Sequence, residues 1–314
     1  MIEAQPVIID CDPGQDDAVM LLLAMASPEL DILGITTVAG NVPLALTQRN
    51  ARIMTDLAGR TDIPVFAGCE RPLQRELVTA EYVHGKTGID GAPIQDPVTP
   101  LQETHAVDFI IETLLASPEN TITLVPTGPL TNIAAAIQRE PRILAHIRHI
   151  VLMGGALREG GNTTTSAEFN IYVDPHAADT VLHCGRPITI VPLDVSHQAL
   201  VTPGCLKRLR ALNSRVARAT VGMLEFFNRF DSHKYGTEGA PLHDPCTIAW
   251  LLRPGLFRGK RCNVEIETES ALTLGHTAVD FWHVSDRPEN AEWLYSIDAE
   301  GFFDLLVERI GRYE

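Results

Sequence analysis

The sequence predicts an α/β protein: an open, mostly parallel central sheet with helices on both faces, Rossmann-like, with a helical C-terminal part. Three observations carry this. β-Branched runs alternate with helically periodic segments through the first two-thirds of the 314 residues, the order that gives parallel strands joined by crossover helices. The strand-like runs are continuously apolar, as central strands buried on both faces are. No repeat, low-complexity tract or Gly/Ser linker divides the chain, so residues 1–314 read as one domain.

In order, strands are expected at Val7–Ile9, Ile32–Val38, Pro64–Phe66, Thr121–Val125, Ile150–Met153 and Ile188–Pro192. Helical periodicity places helices between them at Asp17–Ala26, Leu44–Leu57, Ala106–Leu115, Asn132–Gln138 and Pro175–His183. The stretch Glu70–Thr104 is rich in turn residues and weakly periodic, and reads as a loop excursion near the site rather than a core element. After Pro203 the pattern turns helical, at Val216–Phe230 and His243–Leu252. A short hairpin follows around Cys262–Glu267 and Leu272–Trp282, then a last helix at Phe302–Ile310.

Composition narrows the function. The formal charge of −15, without a Lys/Arg cluster, argues against a nucleic-acid partner. The longest apolar stretch, Ala18 to Ala26, is too short to span a bilayer, and no basic segment precedes an apolar one as in a signal peptide. Six scattered cysteines without C-x-x-C pairs read as reduced thiols of a cytoplasmic protein.

The densest chemistry lies between Asp10 and Ala18, D-C-D-P-G-Q-D-D-A, directly after the first strand. Carboxylates this close repel one another unless a positive charge sits among them, and a hard cation such as Ca²⁺ or Mg²⁺ requires such oxygens. Helix capping accounts for Asp16 or Asp17 taken singly. It does not account for Asp10 and Asp12 on the strand side of the turn. In open α/β sheets, ligands collect at the carboxyl ends of strands. Gly40–Asn41, the segment T-G-P-L-T-N from Thr127 to Asn132, Met153-Gly154-Gly155 and Asp194 all follow expected strands. Asn162, Glu168, Phe169 and Asn170 occupy one loop beyond them. Each has a plain structural role available, as a turn, a cap or a loop amide satisfying backbone. Their convergence on one edge is what points to a site.

A second signal is P-L-H-D-P at Pro241 to Pro245. Asp244 is placed as a helix cap, with proline following it. Nothing local requires the imidazole of His243, and histidine is the commonest proton donor in catalysis. His84, in the irregular excursion, and Tyr235, close to His243 in sequence, are further candidates.

Taken together and in this order, D-C-D-P-G-Q-D-D-A, A-G-N, T-G-P-L-T-N, V-L-M-G-G, A-E-F-N-I-Y-V-D-P and P-L-H-D-P resemble the nucleoside hydrolases. These are the inosine–uridine-preferring family and its bacterial ribonucleoside hydrolase relatives. The resemblance implies hydrolysis of the N-glycosidic bond of a small-molecule ribonucleoside, with Ca²⁺ held by Asp12, Asp17, the carbonyl of Thr127 and Asp244. It implies Asp12 as the base toward the attacking water and His243 as the group that protonates or polarises the leaving base. Asp16, Asn41, Asn162, Glu168 and Asn170 match positions that grip the ribose hydroxyls, and Met153 lies in the matching V-L-M-G-G segment. His84 and Tyr235 match positions that face the base in pyrimidine-preferring relatives, whereas Asp231 stands where some of these have an amide. Uridine and cytidine are therefore the expected substrates, with a non-specific inosine–uridine enzyme as the alternative. Relatives are commonly dimers or tetramers, which implies a homo-oligomer.

Two readings of other classes compete. A phosphotransferase of the haloacid-dehalogenase type also places D-x-D after its first strand, but Pro13-Gly14-Gln15-Asp16-Asp17 departs from the step that normally follows. A non-catalytic nucleoside-binding protein would need the ribose contacts but neither Asp12 nor His243.

Overall fold

A computed structural model describes residues 4–91, 95–236 and 238–313, with the backbone alone for 231–235. Its strands are β1 (Gln5–Cys11), β2 (Leu30–Thr37), β3 (Val65–Ala67), β4 (Leu101–Gln102), β5 (Ile122–Pro126), β6 (Ile147–Met153), β7 (Ile188–Val191), β8 (Phe257–Cys262), β9 (Val264–Ile266), β10 (Thr277–Val279) and β11 (Ala291–Ile297). Among the described residues a nine-stranded sheet runs β4-β3-β2-β1-β5-β6-β7-β11-β8. Its strand pairs are parallel except that β8 runs antiparallel to β11. The hairpin β9–β10 forms a separate two-stranded sheet.

The α-helices are α1 (Gln15–Met25), α2 (Leu44–Ala58), α3 (Glu81–His84), α4 (Ala106–Ala116), α5 (Thr131–Arg139), α6 (Phe169–Val173), α7 (Pro175–Leu182), α8 (Leu193–Ser196), α9 (Pro203–Ala211), α10 (Arg215–Tyr235), α11 (Pro245–Leu252) and α12 (Ala299–Ile310). Successive residues of a strand face opposite sides of a sheet. Val7 and Ile9 accordingly join the core built with α1, α2 and α9 to α12, whereas Ile8 joins the core built with α4, α5 and α7. Helix α1 is buried along its whole length, as expected of a helix apolar on all sides.

From β1 the chain builds outward through β2, β3 and β4, then returns to the other side of β1 with β5, β6 and β7. The order reverses between β1 and β5. Crossover loops leave on opposite faces there, opening a crevice at the strands' carboxyl ends.

The expected strands and helices of the first two-thirds are present, shifted by a few residues at their ends. Three details differ. The excursion 70–104 contributes α3 and the edge strand β4, and it buries Ala80 and Ile89. The helix expected to start at His243 begins at Pro245, leaving His243 and Asp244 on the loop before it. Strands β8 and β11 extend the main sheet, and Cys262 closes β8 rather than opening the hairpin. In β8 the charges of Arg258, Lys260 and Arg261 mask the strand pattern, which is how edge strands commonly deter pairing with other chains.

Candidate active site

The acidic turn leaves β1 at the topological reversal, beside the end of β5, where the Thr127 amide donates to the Asp10 carbonyl at 2.8 Å. Asp10 is fully buried, and its Oδ1 accepts from Thr36 Oγ1 at 2.6 Å and Asn132 Nδ2 at 2.8 Å. Burial pushes its carboxyl up to about 7. Asn132 also donates to the Thr37 carbonyl at 3.0 Å and accepts from the Cys69 amide at 2.8 Å. Asp10 and Asn132 thus tie β1, β2 and the loop after β3 together. Their role is to hold the frame of the site.

Asp12 comes next and is also fully buried. Its Oδ2 accepts from the Asn41 amide at 2.7 Å, while its Oδ1 has no hydrogen-bond partner. The carboxylate fits only because two neighbours lack a side chain: a Cβ on Gly40 would lie 2.1 Å from Oδ2, and one on Gly128 would lie 2.6 Å from Oδ1. Asp17 behaves partly as a cap, its Oδ2 accepting from the Gly14 amide at 3.1 Å and Asn41 Nδ2 at 3.2 Å. Its Oδ1 accepts from Thr127 Oγ1 at 2.8 Å. Asp244 stands at the cap position of α11 but makes no capping bond. It turns instead toward α1, where Asp16, Asp17 and Asp244 bring one oxygen each within 4.8 Å of one another. Asp16 Oδ1 is buried and unpartnered as well.

Burial, compounded by the neighbouring carboxylates, holds Asp12 and Asp244 well above the usual carboxylate range and pushes Asp17 up to about 7. Four acidic groups, two of them with an orphaned buried oxygen, form an all-oxygen donor set short of positive charge. That is the environment a hard divalent cation fits. The Thr127 carbonyl, at the same strand end, accepts from Asn170 Nδ2 at 2.7 Å and has a second lone pair to offer.

Above the carboxylates lies a cleft. Its floor and polar wall come from Asp16, Asn41, Thr127, Met153, Asn162, Glu168, Asn170 and Asp244. Glu168 caps α6, with Oε1 accepting from the Asn170 amide at 2.9 Å and Oε2 from the Ile171 amide at 3.2 Å. Oε2 also accepts from the Gly155 amide at 3.1 Å, so the carboxylate pins the Gly154-Gly155 turn. Burial nevertheless pushes Glu168 up to about 7. Asn170 Nδ2 also donates to the Met153 carbonyl at 3.2 Å, and Asn162 Oδ1 accepts from the Phe169 amide at 2.9 Å.

The opposite wall is aromatic. His84, from α3, stacks on Phe227 of α10 with ring centres 5.7 Å apart, and Phe227 meets His243 edge-on at 6.4 Å. His243 Nδ1 lies 2.7 Å from Ser196 Oγ at the end of α8.

The structure therefore gathers most of the residues singled out in the sequence. Asp12 and Asp17 lie buried beneath the cleft, and Asp16, Asn41, His84, Thr127, Met153, Asn162, Glu168, Asn170, His243 and Asp244 line it. The side chains of Asp231 and Tyr235 lie outside the described residues. Asp194 serves a structural end, accepting from the Leu157 and Arg158 amides at 2.8 and 2.7 Å. Sequence reasoning missed Phe227, Phe230, Tyr82 and Ser196. Phe227 and Phe230 sit at helical spacing in α10, where an aromatic residue reads as core.

The sequence matches the family described as inosine-uridine preferring nucleoside hydrolase over residues 7–304. It is 50% identical over 311 residues to the pyrimidine-specific ribonucleoside hydrolase RihA of Photobacterium profundum, covering 99% of this chain and all of the relative. Among solved structures, a purine-preferring ribonucleoside hydrolase from Gardnerella vaginalis superposes with a TM-score of 0.91 at 33% identity, covering 98% of both chains. A plant nucleoside hydrolase superposes with a TM-score of 0.90 at 32% identity, covering 98% of this chain and 99% of its own. With its carboxylate turn at the sheet's reversal and its cleft in place, the chain belongs to the inosine-uridine preferring nucleoside hydrolase family and is a glycosidase of nucleosides.

Proposed function

We propose that this nucleoside hydrolase works with Ca²⁺ and prefers the pyrimidine nucleosides uridine and cytidine. The observation that carries the chemistry is the division of the cleft: buried carboxylates with unpartnered oxygens on one side, imidazoles packed against Phe227 on the other. The pyrimidine preference draws on the 50% identity to a pyrimidine-specific relative. His84 and His243, both packed against Phe227, supply the imidazole wall that would face a pyrimidine base.

Asp12, Asp17, Asp244 and the Thr127 carbonyl would hold the cation. The carboxylates whose oxygens converge within 4.8 Å are Asp16, Asp17 and Asp244, so Asp16 stands as a further ligand candidate. When bound, a divalent cation supplies positive charge among these oxygens and lowers the pKa of a nearby water. The unpartnered Oδ1 of Asp12 takes the proton of the water that attacks C1′. As the C1′–N bond breaks, its electron pair passes to the base and the sugar ring gains oxocarbenium character. His243 delivers a proton to the departing base, so water and nucleoside yield ribose and neutral base. Asp16, Asn41, Asn162, Glu168 and Asn170 orient the ribose hydroxyls from the polar wall. Hydrogen bonds that strengthen as ring charge develops raise turnover rather than merely tightening binding.

Residues 1–314 are taken as one domain because β8 and β11, late in the chain, complete the sheet that β1 begins. No helix among the described residues is long and apolar enough to cross a membrane. A cytoplasmic homodimer or homotetramer is the assembly we infer.

A kinetic panel of uridine, cytidine, inosine and adenosine tests the preference. The pyrimidine nucleosides should give the higher kcat/KM, and inosine turned over faster than uridine would overturn the assignment. Chelation should abolish hydrolysis, and Ca²⁺ should restore it better than Mg²⁺, which demands near-octahedral geometry and dehydrates reluctantly.

A further inference from the structure

Within the acidic turn, the Pro-Gly-Gln step has no part in the chemistry described above. Gln15 is fully buried at the start of α1. Its Nε2 donates to the His84 carbonyl at 2.9 Å and to the Asp90 carbonyl at 3.3 Å. Its Oε1 lies 2.8 Å from His84 Nδ1. Two carbonyl oxygens leave this amide one orientation, because turning it over would set its own oxygen against both of them. The atom facing His84 Nδ1 is therefore an acceptor, and Nδ1 must carry the ring proton. Gly14 makes the approach possible, since a Cβ there would lie 2.5 Å from Nδ1 and 2.7 Å from Cε1 of the imidazole.

We propose that Gln15 is a positioning and specificity residue that locks His84 in its Nδ1–H tautomer, making its Nε2 an obligate hydrogen-bond acceptor for an N–H of the nucleobase. A neutral imidazole with Nδ1 protonated has only a lone pair at Nε2. Burial, which pushes the His84 pKa below its ordinary value, favours that neutral ring. His84 lines the cleft beside Phe227, and in the reading proposed above it is the base that this wall meets. Uracil offers one ring N–H, at N3, once N1 carries ribose, and cytosine offers its exocyclic amino group at the same edge. The inference rests on the pyrimidine reading above for the identity of the ligand. The tautomer itself does not depend on that reading.

Two measurements on the holoenzyme test it. In ¹⁵N spectra of histidine-labelled protein, with His84→Asn for assignment, the His84 ring should show a protonated Nδ1 and an unprotonated Nε2. Gln15→Leu should shift that ring toward the other tautomer. In kinetics, 3-methyluridine should lose roughly tenfold or more in kcat/KM against uridine, chiefly through KM, the scale of one buried hydrogen bond left unmade. The loss should largely vanish in Gln15→Leu, whereas 5′-deoxyuridine should show no such dependence on Gln15. A protonated Nε2 in the wild-type enzyme would overturn the proposal whatever the substrate preference. So would equal cleavage of uridine and 3-methyluridine, or a Gln15 dependence that follows the 5′-hydroxyl instead. If uridine is not cleaved at all, the pyrimidine reading fails and the ¹⁵N spectrum alone decides the tautomer. Should Gln15→Leu not fold, the wild-type spectrum and the 3-methyluridine ratio still decide.

Discussion

Replacing Asp12 by asparagine separates its catalytic role from its structural one. The substitution keeps the shape of a side chain wedged against Gly40 and Gly128. An asparagine oxygen can still accept from the Asn41 amide, which now bonds Oδ2 at 2.7 Å. What changes is the other atom: the unpartnered Oδ1 becomes an NH₂ that can only donate. It cannot take a proton from water, so kcat should fall by ~10²–10⁴, or about 3–5 kcal/mol of barrier. Stability should move the other way. Asp12 is fully buried, and that burial, compounded by the charges of Asp17 and Asp16, holds its carboxyl well above the usual range. Asparagine removes the cost of burying an ionisable carboxyl there, borne either as charge repulsion or as proton uptake, on the order of 1 kcal/mol or more. In chelator, D12N should therefore melt a few degrees above the wild type, and Ca²⁺ should raise its Tm less than it raises that of the wild type. Ribose release and thermal melts with and without Ca²⁺ measure both effects. Near-normal turnover by a variant that still binds Ca²⁺ would refute the assignment of Asp12 as base. A large loss of stability in chelator would refute the picture of mutually repelling carboxylates.

Two further substitutions probe other parts of the site. His243→Ala should lower kcat for uridine by ~10²–10⁴ and cost far less on p-nitrophenyl riboside, whose leaving group departs without a proton. An equal loss on both substrates would assign His243 to binding rather than proton delivery. Gly40→Ala places a Cβ 2.1 Å from Asp12 Oδ2 and 2.8 Å from Pro129 Cδ. It should cost ~1–3 kcal/mol in stability through overpacking and abolish hydrolysis by displacing Asp12. Unchanged melting and turnover would show that the turn yields freely.

Much of this molecule could be read without coordinates. Continuous apolar runs such as Val7–Ile9 and Ile150–Met153 require burial on both faces, and the helices between them leave a parallel sheet as the arrangement that supplies it. The acidic turn was legible because its charge density defies ordinary capping. Strand β8 was hidden by its charged residues Arg258, Lys260 and Arg261 on the sheet's edge, and Phe227 by a helical spacing that any core aromatic shares.

The local chemistry was thus written in the sequence: which turn carries the carboxylates, which loops hold amides, and where an imidazole lacks a local purpose. Tertiary structure decided the partnerships. Strand order alone brings Asp244, more than two hundred residues downstream, against Asp16 and Asp17, and turns a formal helix cap into a member of the carboxylate group. It also decides that Asp10 braces the frame through Thr36 and Asn132 while Asp12, two residues on, is wedged against Gly40 and Gly128 beside the carboxylates of α1. The physical reason is that a side chain's role depends on desolvation and on partners distant in the chain. Residue type and spacing set neither until the sheet has closed around them.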